Sequence, residues 1–246
     1  MLPESPLLEL QAVTAGYGGE AVVAEVDMAV CRGDFVGLLG ANGSGKSTLL
    51  RAVSGQIPLL GGAVRVQGRD LASDPAGAKQ CFGYAVDATE LPTVLTAAQY
   101  FAMVASIRGC NADAWPEQNL PAMLAMTTWL HVPIGACSLG TRTKVSIAAA
   151  LLGAPPLIIL DESLNGLDPV ASFTVKRLLQ RLAASGRHAV LLSTHMLETV
   201  GACCTRAVFL QDGRLTHTWD DMALAEARTV AGGFEAMVMR ALAEAP

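Results

Sequence analysis

The segment Gly40-Ala41-Asn42-Gly43-Ser44-Gly45-Lys46-Ser47, followed directly by Thr48, constrains this chain more than any other stretch of it. It fits G-x-x-x-x-G-K-[ST], the phosphate-binding loop. Glycines let the backbone curl tightly, so that several N–H groups aim at one anion with no Cβ in the way. Lys46 is placed to reach β- and γ-phosphates, and the Ser47 hydroxyl to ligate Mg²⁺. The flanks agree: Phe35 to Leu39 is an apolar run of the buried-strand kind, and residues 47–54 suit a helix whose positive end faces the anion. A strand, a glycine loop and a helix in this order predict an α/β fold with a site for a nucleoside triphosphate.

Composition narrows the class. A chain of 246 residues, 52% of them hydrophobic, has apolar material for one large domain or a domain with a sub-domain, and little tendency to disorder. A net charge of −5 and the lack of any Lys/Arg cluster weigh against a nucleic-acid partner. The six cysteines show no paired C-x-x-C spacing, so they are expected as small core residues in a reducing compartment. The start, Met1-Leu2-Pro3-Glu4-Ser5, has no basic region and no apolar core of the signal kind. The longest apolar stretch, 145–160, is broken by Gly153, Pro155 and Pro156, which predicts two buried elements and no membrane span.

Periodicity and punctuation predict the remaining elements. Strands are expected at 7–14, 22–30, 63–67 and 82–86, with Gly18-Gly19 as a turn. From about 96 to 152 the pattern is helical. Thr96 and Gln99 form a capping box, Gly109 suits a helix stop, a second helix is expected over 114–129 with Asp113 as its cap, and a third over 141–152. Beyond it, Leu157 to Leu160 and His188 to Ser193 read as parallel strands buried on both faces, joined by a helix over 169–184 that Asp168 caps. Asp212-Gly213 marks a hairpin between 208–211 and 214–219, and a helical tail follows from Asp221.

The strand at 157–160 ends on Asp161-Glu162, two carboxylates at the C-terminal edge where ligands sit in open α/β sheets. Asp161 is expected to hold Mg²⁺ through water, and Glu162 to orient or deprotonate an attacking water. His195 leaves the next strand beside them, in reach of a γ-phosphate. Ser138 precedes a helix as its cap and Gly140 leaves the backbone open at that helix's positive end, a second phosphate grip. A helix cap with no ligand is the alternative reading of the same two residues. Tyr17, before Gly18-Gly19, fits either a base-stacking ring or a plain turn residue.

In this order of elements the chain resembles the nucleotide-binding subunits of ATP-binding cassette (ABC) transporters, over nearly its whole length. Tyr17 stands where that family stacks an aromatic ring on adenine. Cys137-Ser138-Leu139-Gly140-Thr141 occupies the place of the Leu-Ser-Gly-Gly-Gln signature, matching it at Ser138 and Gly140 only. Asn165-Gly166-Leu167-Asp168 matches the dimer-contact loop, Ser193-Thr194-His195 the switch histidine, and 206–211 the strand after it. Two positions depart: Asp87 replaces the usual glutamine that links Mg²⁺ and water to the membrane partner, and Ser163 replaces a proline.

The resemblance implies a P-loop NTPase core with a parallel sheet, an antiparallel β sub-domain and an inserted helical sub-domain at about 88–153, together one domain over 1–246. It implies ATP and Mg²⁺ as ligands, with Ser47, Asp87 and Asp161 around the metal. It also implies a homodimer or heterodimer closing on two ATP molecules, and multi-spanning membrane subunits that hold the protein at the cytoplasmic face. The segments at 138–142 and 164–168 lean towards bacterial export-type subunits. Two alternatives stay open, a soluble ABC ATPase serving a non-membrane partner and a low-turnover nucleotide-binding partner of a paralogue.

Overall fold

A computed structural model describes residues 5–230 and 232–244; Met1 to Glu4, on which the reading of the chain's start rests, lie outside them. Near-continuous apolar runs become the central strands of a six-stranded sheet. β3 (Phe35–Leu39), β7 (Leu157–Asp161) and β8 (Ala189–Ser193) are buried on both faces, apart from the half-exposed Asp161 at its strand's end. With β6 (Phe82–Ala85), β9 (Arg206–Gln211) and β10 (Arg214–Trp219) they line up as β10-β9-β3-β8-β7-β6. All pairs are parallel except β9–β10, the hairpin turned by Asp212-Gly213. A second, four-stranded antiparallel sheet joins β1 (Leu8–Tyr17), β2 (Glu20–Val30), β4 (Leu59–Val66) and the short β5 (Arg69–Asp70) in the order β2-β1-β4-β5.

Helix α1 (Lys46–Val53) packs into one core with this second sheet, and α2 (Pro75–Gln80) closes it beside β5 and β6. The other core lies under α3 (Ala97–Arg108), α4 (Leu120–Met123), α5 (Leu139–Leu151), α6 (Pro169–Ala184) and α7 (Leu197–Cys203), with α8 (Asp221–Ala227) and α9 (Gly233–Glu244) against its edge. Among the described residues no helix is long and apolar enough to cross a membrane. Of the six cysteines, Cys81, Cys137, Cys203 and Cys204 are buried, while Cys31 and Cys110 are partly so.

Local signals explain several boundaries. The Thr96–Gln99 capping box forms in both directions, at 3.2 and 2.9 Å, and Gly109 ends α3 in the left-handed conformation. Asp168 caps α6 through the Ala171 N–H at 2.9 Å. α5 starts at Leu139, two residues before the expected point, because the Ser138 cap draws Leu139 and Gly140 into the first turn. β4 starts at Leu59 and runs through Gly61-Gly62, which was expected to precede it. At Gly62 (φ +78°) a Cβ would stand 2.3 Å from the Gln11 and Ala12 carbonyls, so only glycine lets the strand pass there.

The helix expected over 114–129 does not form. Pro121 lacks the N–H that a helix interior needs, and Asn119 and Ala125 take positive φ values of 55° and 52° on either side of it. What remains is the one-turn α4 and a 3₁₀ turn at Thr127–Trp129. Trp115 anchors the segment instead, packing edge-on against Phe101 at 5.3 Å and donating its indole N–H to the Ala148 carbonyl at 2.8 Å. Arg108, at the end of α3, ties the helices together by donating to the carbonyls of Ala150, Leu152 and Phe82. Its burial pulls the guanidinium pKa down, a cost that these charge-assisted bonds offset.

Candidate functional site

Four strands end side by side, and each delivers one expected segment. β3 leads into the phosphate loop, β7 into Asp161-Glu162, β8 into His195, and β6 into Asp87. The order β3-β8-β7-β6 sets these ends along the C-terminal edge of the sheet, where open α/β folds bind ligands.

In the loop, Gly43 (φ +82°) and Gly45 (φ +104°) hold left-handed conformations that free the amides of α1's first turn. No side chain caps that turn and no acidic residue lies in it, so the positive end of α1 stays open. Lys46 is 4% exposed, and its Nζ donates to the carbonyls of Gly40 (2.8 Å) and Ala41 (3.0 Å). It also stands 3.5 Å from Glu162 Oε1. A buried ammonium needs such partners, since leaving water unpaired costs it several kcal/mol. Tyr17, Asn42, Gly43, Gly45, Ser47, Thr48, Lys46 and Glu162 together line a cavity of about 430 Å³. Ser44 lies outside that lining, and its buried Oγ has no hydrogen-bond partner.

Glu162 is the most constrained of the expected site residues. Its φ of +46° is left-handed, a conformation that costs a non-glycine residue roughly 1–2 kcal/mol. Ser193 holds it there: the Glu162 N–H meets the Ser193 carbonyl at 3.2 Å and its Oγ at 3.0 Å. The same Ser193 hydroxyl donates to Asp161 Oδ1 at 2.5 Å. Asn165 Nδ2 donates to Glu162 Oε2 at 3.1 Å, and half-exposed His195 places Nδ1 3.7 Å from that oxygen. Ser193 and Asn165 make contacts to the acid pair that sequence reasoning missed. For Ser193 the available signal was a hydroxyl closing a buried strand beside an acid; Asn165 was read only as part of a dimer-contact loop.

Tyr17 is 48% exposed, and its phenol accepts a long hydrogen bond from Arg51 Nη1 at 3.5 Å, the main cause holding its pKa below the usual value. Asp87 shares a second cavity, of about 270 Å³, with Asp161, Glu162 and Leu139. Like charges sharing one cavity would by themselves raise one another's carboxyl pKa values. Asp87 goes the other way and is held below the usual carboxylate range. The Thr89 hydroxyl (2.6 Å) and N–H (2.7 Å) both donate to its Oδ1, and the carboxylate lies at an exposed loop rather than deep in the site. Among the described residues no three His, Cys, Asp or Glu side chains cluster as a metal cage.

Ser138 and Gly140 line neither cavity, although Leu139 between them lines the second. Ser138 Oγ accepts from the Thr141 N–H at 3.2 Å and lies 3.0 Å from Thr141 Oγ1, so the expected cap forms. Gly140 abuts Gly166, where an added Cβ would stand 3.0 Å from the carbonyl oxygen.

Comparison with known proteins agrees with this geometry. Residues 23–165 match the family model described as ABC transporter. The ABC-type transporter ATP-binding protein EcsA of Bacillus subtilis is 33% identical over 214 residues, 85% of each chain. The Nod factor export ATP-binding protein I of Sinorhizobium fredii is 31% identical over 210 residues, 84% of this chain and 61% of that one, so export-type proteins are among the relatives. Among solved structures, an ATP-binding subunit of an ABC transporter superposes with a TM-score of 0.84 at 30% identity, over 97% of this chain and 98% of that one. The dimeric cassette MJ0796 shares the fold at a TM-score of 0.76 and 20% identity, over 87% of this chain and 98% of its own. This chain belongs to the ABC transporter family, as an ATP-binding ATPase subunit.

Proposed function

We propose that ATP lies with its base on Tyr17 and its phosphates in the loop Gly40–Thr48, and that Glu162 is the general base of hydrolysis. The reading rests on Glu162, whose carboxylate borders both cavities and lies near both Lys46 and His195. Loop amides and Lys46 bind and neutralise the phosphates. Glu162, aligned by Asn165, accepts a proton from water as the water oxygen attacks the γ-phosphorus and the bond to the bridging oxygen breaks, giving ADP and inorganic phosphate. His195 steadies the γ-phosphate. The exposed Ser47 hydroxyl and the Asp161 carboxylate are hard oxygen donors of the kind Mg²⁺ takes, and that ion would spread the charge on the phosphates.

Ser138 and Gly140, absent from the lining of both cavities of their own chain, fit a site completed by a second subunit, each signature closing on the other chain's γ-phosphate. The helical region at about 88–153 would engage a multi-spanning membrane subunit and hold the protein at the cytoplasmic face. Val94, 84% exposed in that region, supports such a contact. A direction of export follows the segments at 138–142 and 164–168, and the acidic charge balance fits a protein that binds no nucleic acid.

Mixing two inactive variants tests the shared site. Lys46→Ala and Gly140→Asp, each silent alone, are expected to recover ATPase activity when mixed, because a mixed dimer holds one intact phosphate loop facing one intact signature. No recovery over a range of mixing ratios, with mixed dimers demonstrated by affinity pull-down, would exclude the shared site.

One observation also supports a slow subunit. Asp87 keeps its charge beside Asp161 and Glu162, and it reaches one methylene less than glutamine. Asp87→Gln is expected to raise basal turnover a few-fold, because the longer side chain reaches further towards the attacking water. Superimposable Mg²⁺ titrations of the two proteins would place Asp87 outside the site.

A further inference from the structure

The C-terminal segment contributes none of the groups above, yet it bears on two of the elements that carry them. α7 begins two residues after His195 and is pinned along its length. Lys176 and Gln180 of α6 donate to Thr199 Oγ1 (2.9 Å) and to the Ala202 carbonyl (3.2 Å). Val200 lies over Gly37 of β3, so close that a Cβ at Gly37 would stand 2.8 Å from both its methyl groups. Gly201 faces α9 in the same way, where an added Cβ would stand 2.8 Å from Phe234 Cβ. Two glycines, one in the strand and one in the helix, therefore let β3, α7 and α9 pack in immediate contact.

Arg228, between α8 and α9, closes the far end of α7. Its Nε donates to the Gly201 carbonyl and its Nη2 to the Cys204 carbonyl, both at 2.8 Å. A guanidinium there satisfies carbonyls that have no partner within the helix and meets the negative end of its dipole. Phe234 is buried and locked edge-on against Trp219, with centroids 5.3 Å apart. Farther along, α9 brings Leu242 to a cavity of about 440 Å³ that it shares with Ala41 to Ser44 of the phosphate loop. One helix thus rests on the helix behind His195 and reaches the flank of the loop that grips phosphate.

We propose that Arg228 and Phe234 are positioning residues for ATP hydrolysis, setting the seat of α7 on β3 and through it the reach of His195 towards Glu162 and the terminal phosphate. The inference rests on the reading of His195 as a γ-phosphate contact. Neither Arg228 nor Phe234 lines either nucleotide-site cavity, so both act through α7.

The test is a double-mutant cycle in the full chain, Arg228→Ala against His195→Ala, with kcat and KM for ATP expressed per folded protein. Arg228→Ala is expected to lower kcat about tenfold while KM stays within about twofold. Arg228→Lys keeps a cation at the helix end but cannot bridge two carbonyls, and is expected to recover part of the loss. In the His195→Ala background the Arg228 substitution is expected to cost nothing further. Phe234→Leu, a milder change with the same expected pattern, carries the test if Arg228→Ala folds poorly. An equal loss with and without His195, a loss confined to KM, or a loss that the unfolded fraction accounts for overturns the inference. Parent-level turnover in His195→Ala would overturn the role of His195 and this inference together. A multiplicative cycle with His195 still required overturns this inference alone.

Discussion

Lys46→Ala is expected to reduce ATP turnover by about 10²- to 10³-fold, the size of effect seen when one preorganised charge-stabilising donor is removed from a phosphoryl or acyl transfer site. The cause is specific to where this lysine sits. Its ammonium joins the Gly40 and Ala41 carbonyls to Glu162, so it sets the shape of the loop as well as supplying charge. Alanine removes the cation and leaves two carbonyls of a tight glycine turn without their donor. Nucleotide affinity should fall with turnover, and titration with a fluorescent ATP analogue measures that separately. Lys46→Arg is not a conservative control, because a planar fork does not replace a compact ammonium within so closed a loop. Parent-level hydrolysis by the alanine variant would remove the phosphate loop from the reaction.

Glu162→Gln is expected to separate binding from chemistry. The side chain keeps its shape while losing the proton acceptor, a change that costs about 10²- to 10⁴-fold where the group is the general base. ATP should still bind, and the subunit should elute as an ATP-dependent dimer on size exclusion. Two neighbours sharpen the expectation. Asn165 now donates to a carboxylate oxygen and can still donate to the glutamine carbonyl, so the loop 162–168 keeps its turn. Ser193 grips the backbone of residue 162, which the substitution leaves alone, so the left-handed conformation persists. Loss of turnover would therefore report chemistry and not a collapsed loop. Hydrolysis at the parent rate, with a monomer in ATP, would show that Glu162 is not the base and that the subunits close by another route.

The phosphate loop, the acid pair and His195 were legible in the sequence for one reason: each follows a short buried strand, and the apolar run announces where the strand must end. The caps of α3 and α6 were equally legible, because a cap is a contact between residues three apart and needs no tertiary information. The segment 114–129 was misread because the reading followed the Asp113 cap and passed over Pro121, and because the partners of Trp115, Phe101 and the Ala148 carbonyl, come from other helices. Asp87 lines one cavity with the acids, but the sense of its titration depended on Thr89, whose bonds to the carboxylate exist only in the folded turn.

What the sequence by itself determined is the inventory of candidate site residues and the strands that present them, since period and punctuation are local properties of a chain. Only the tertiary structure decided that Ser193 binds both Asp161 and the backbone of Glu162, and that Leu139, but neither Ser138 nor Gly140, lines the cavity beside those acids. Only there, too, does Arg228 close the helix behind His195. Those contacts join residues about 30 positions apart or elements whose spacing is set by packing, as between Gly201 and Phe234, and no local pattern encodes the distance between two surfaces that meet only when the core forms.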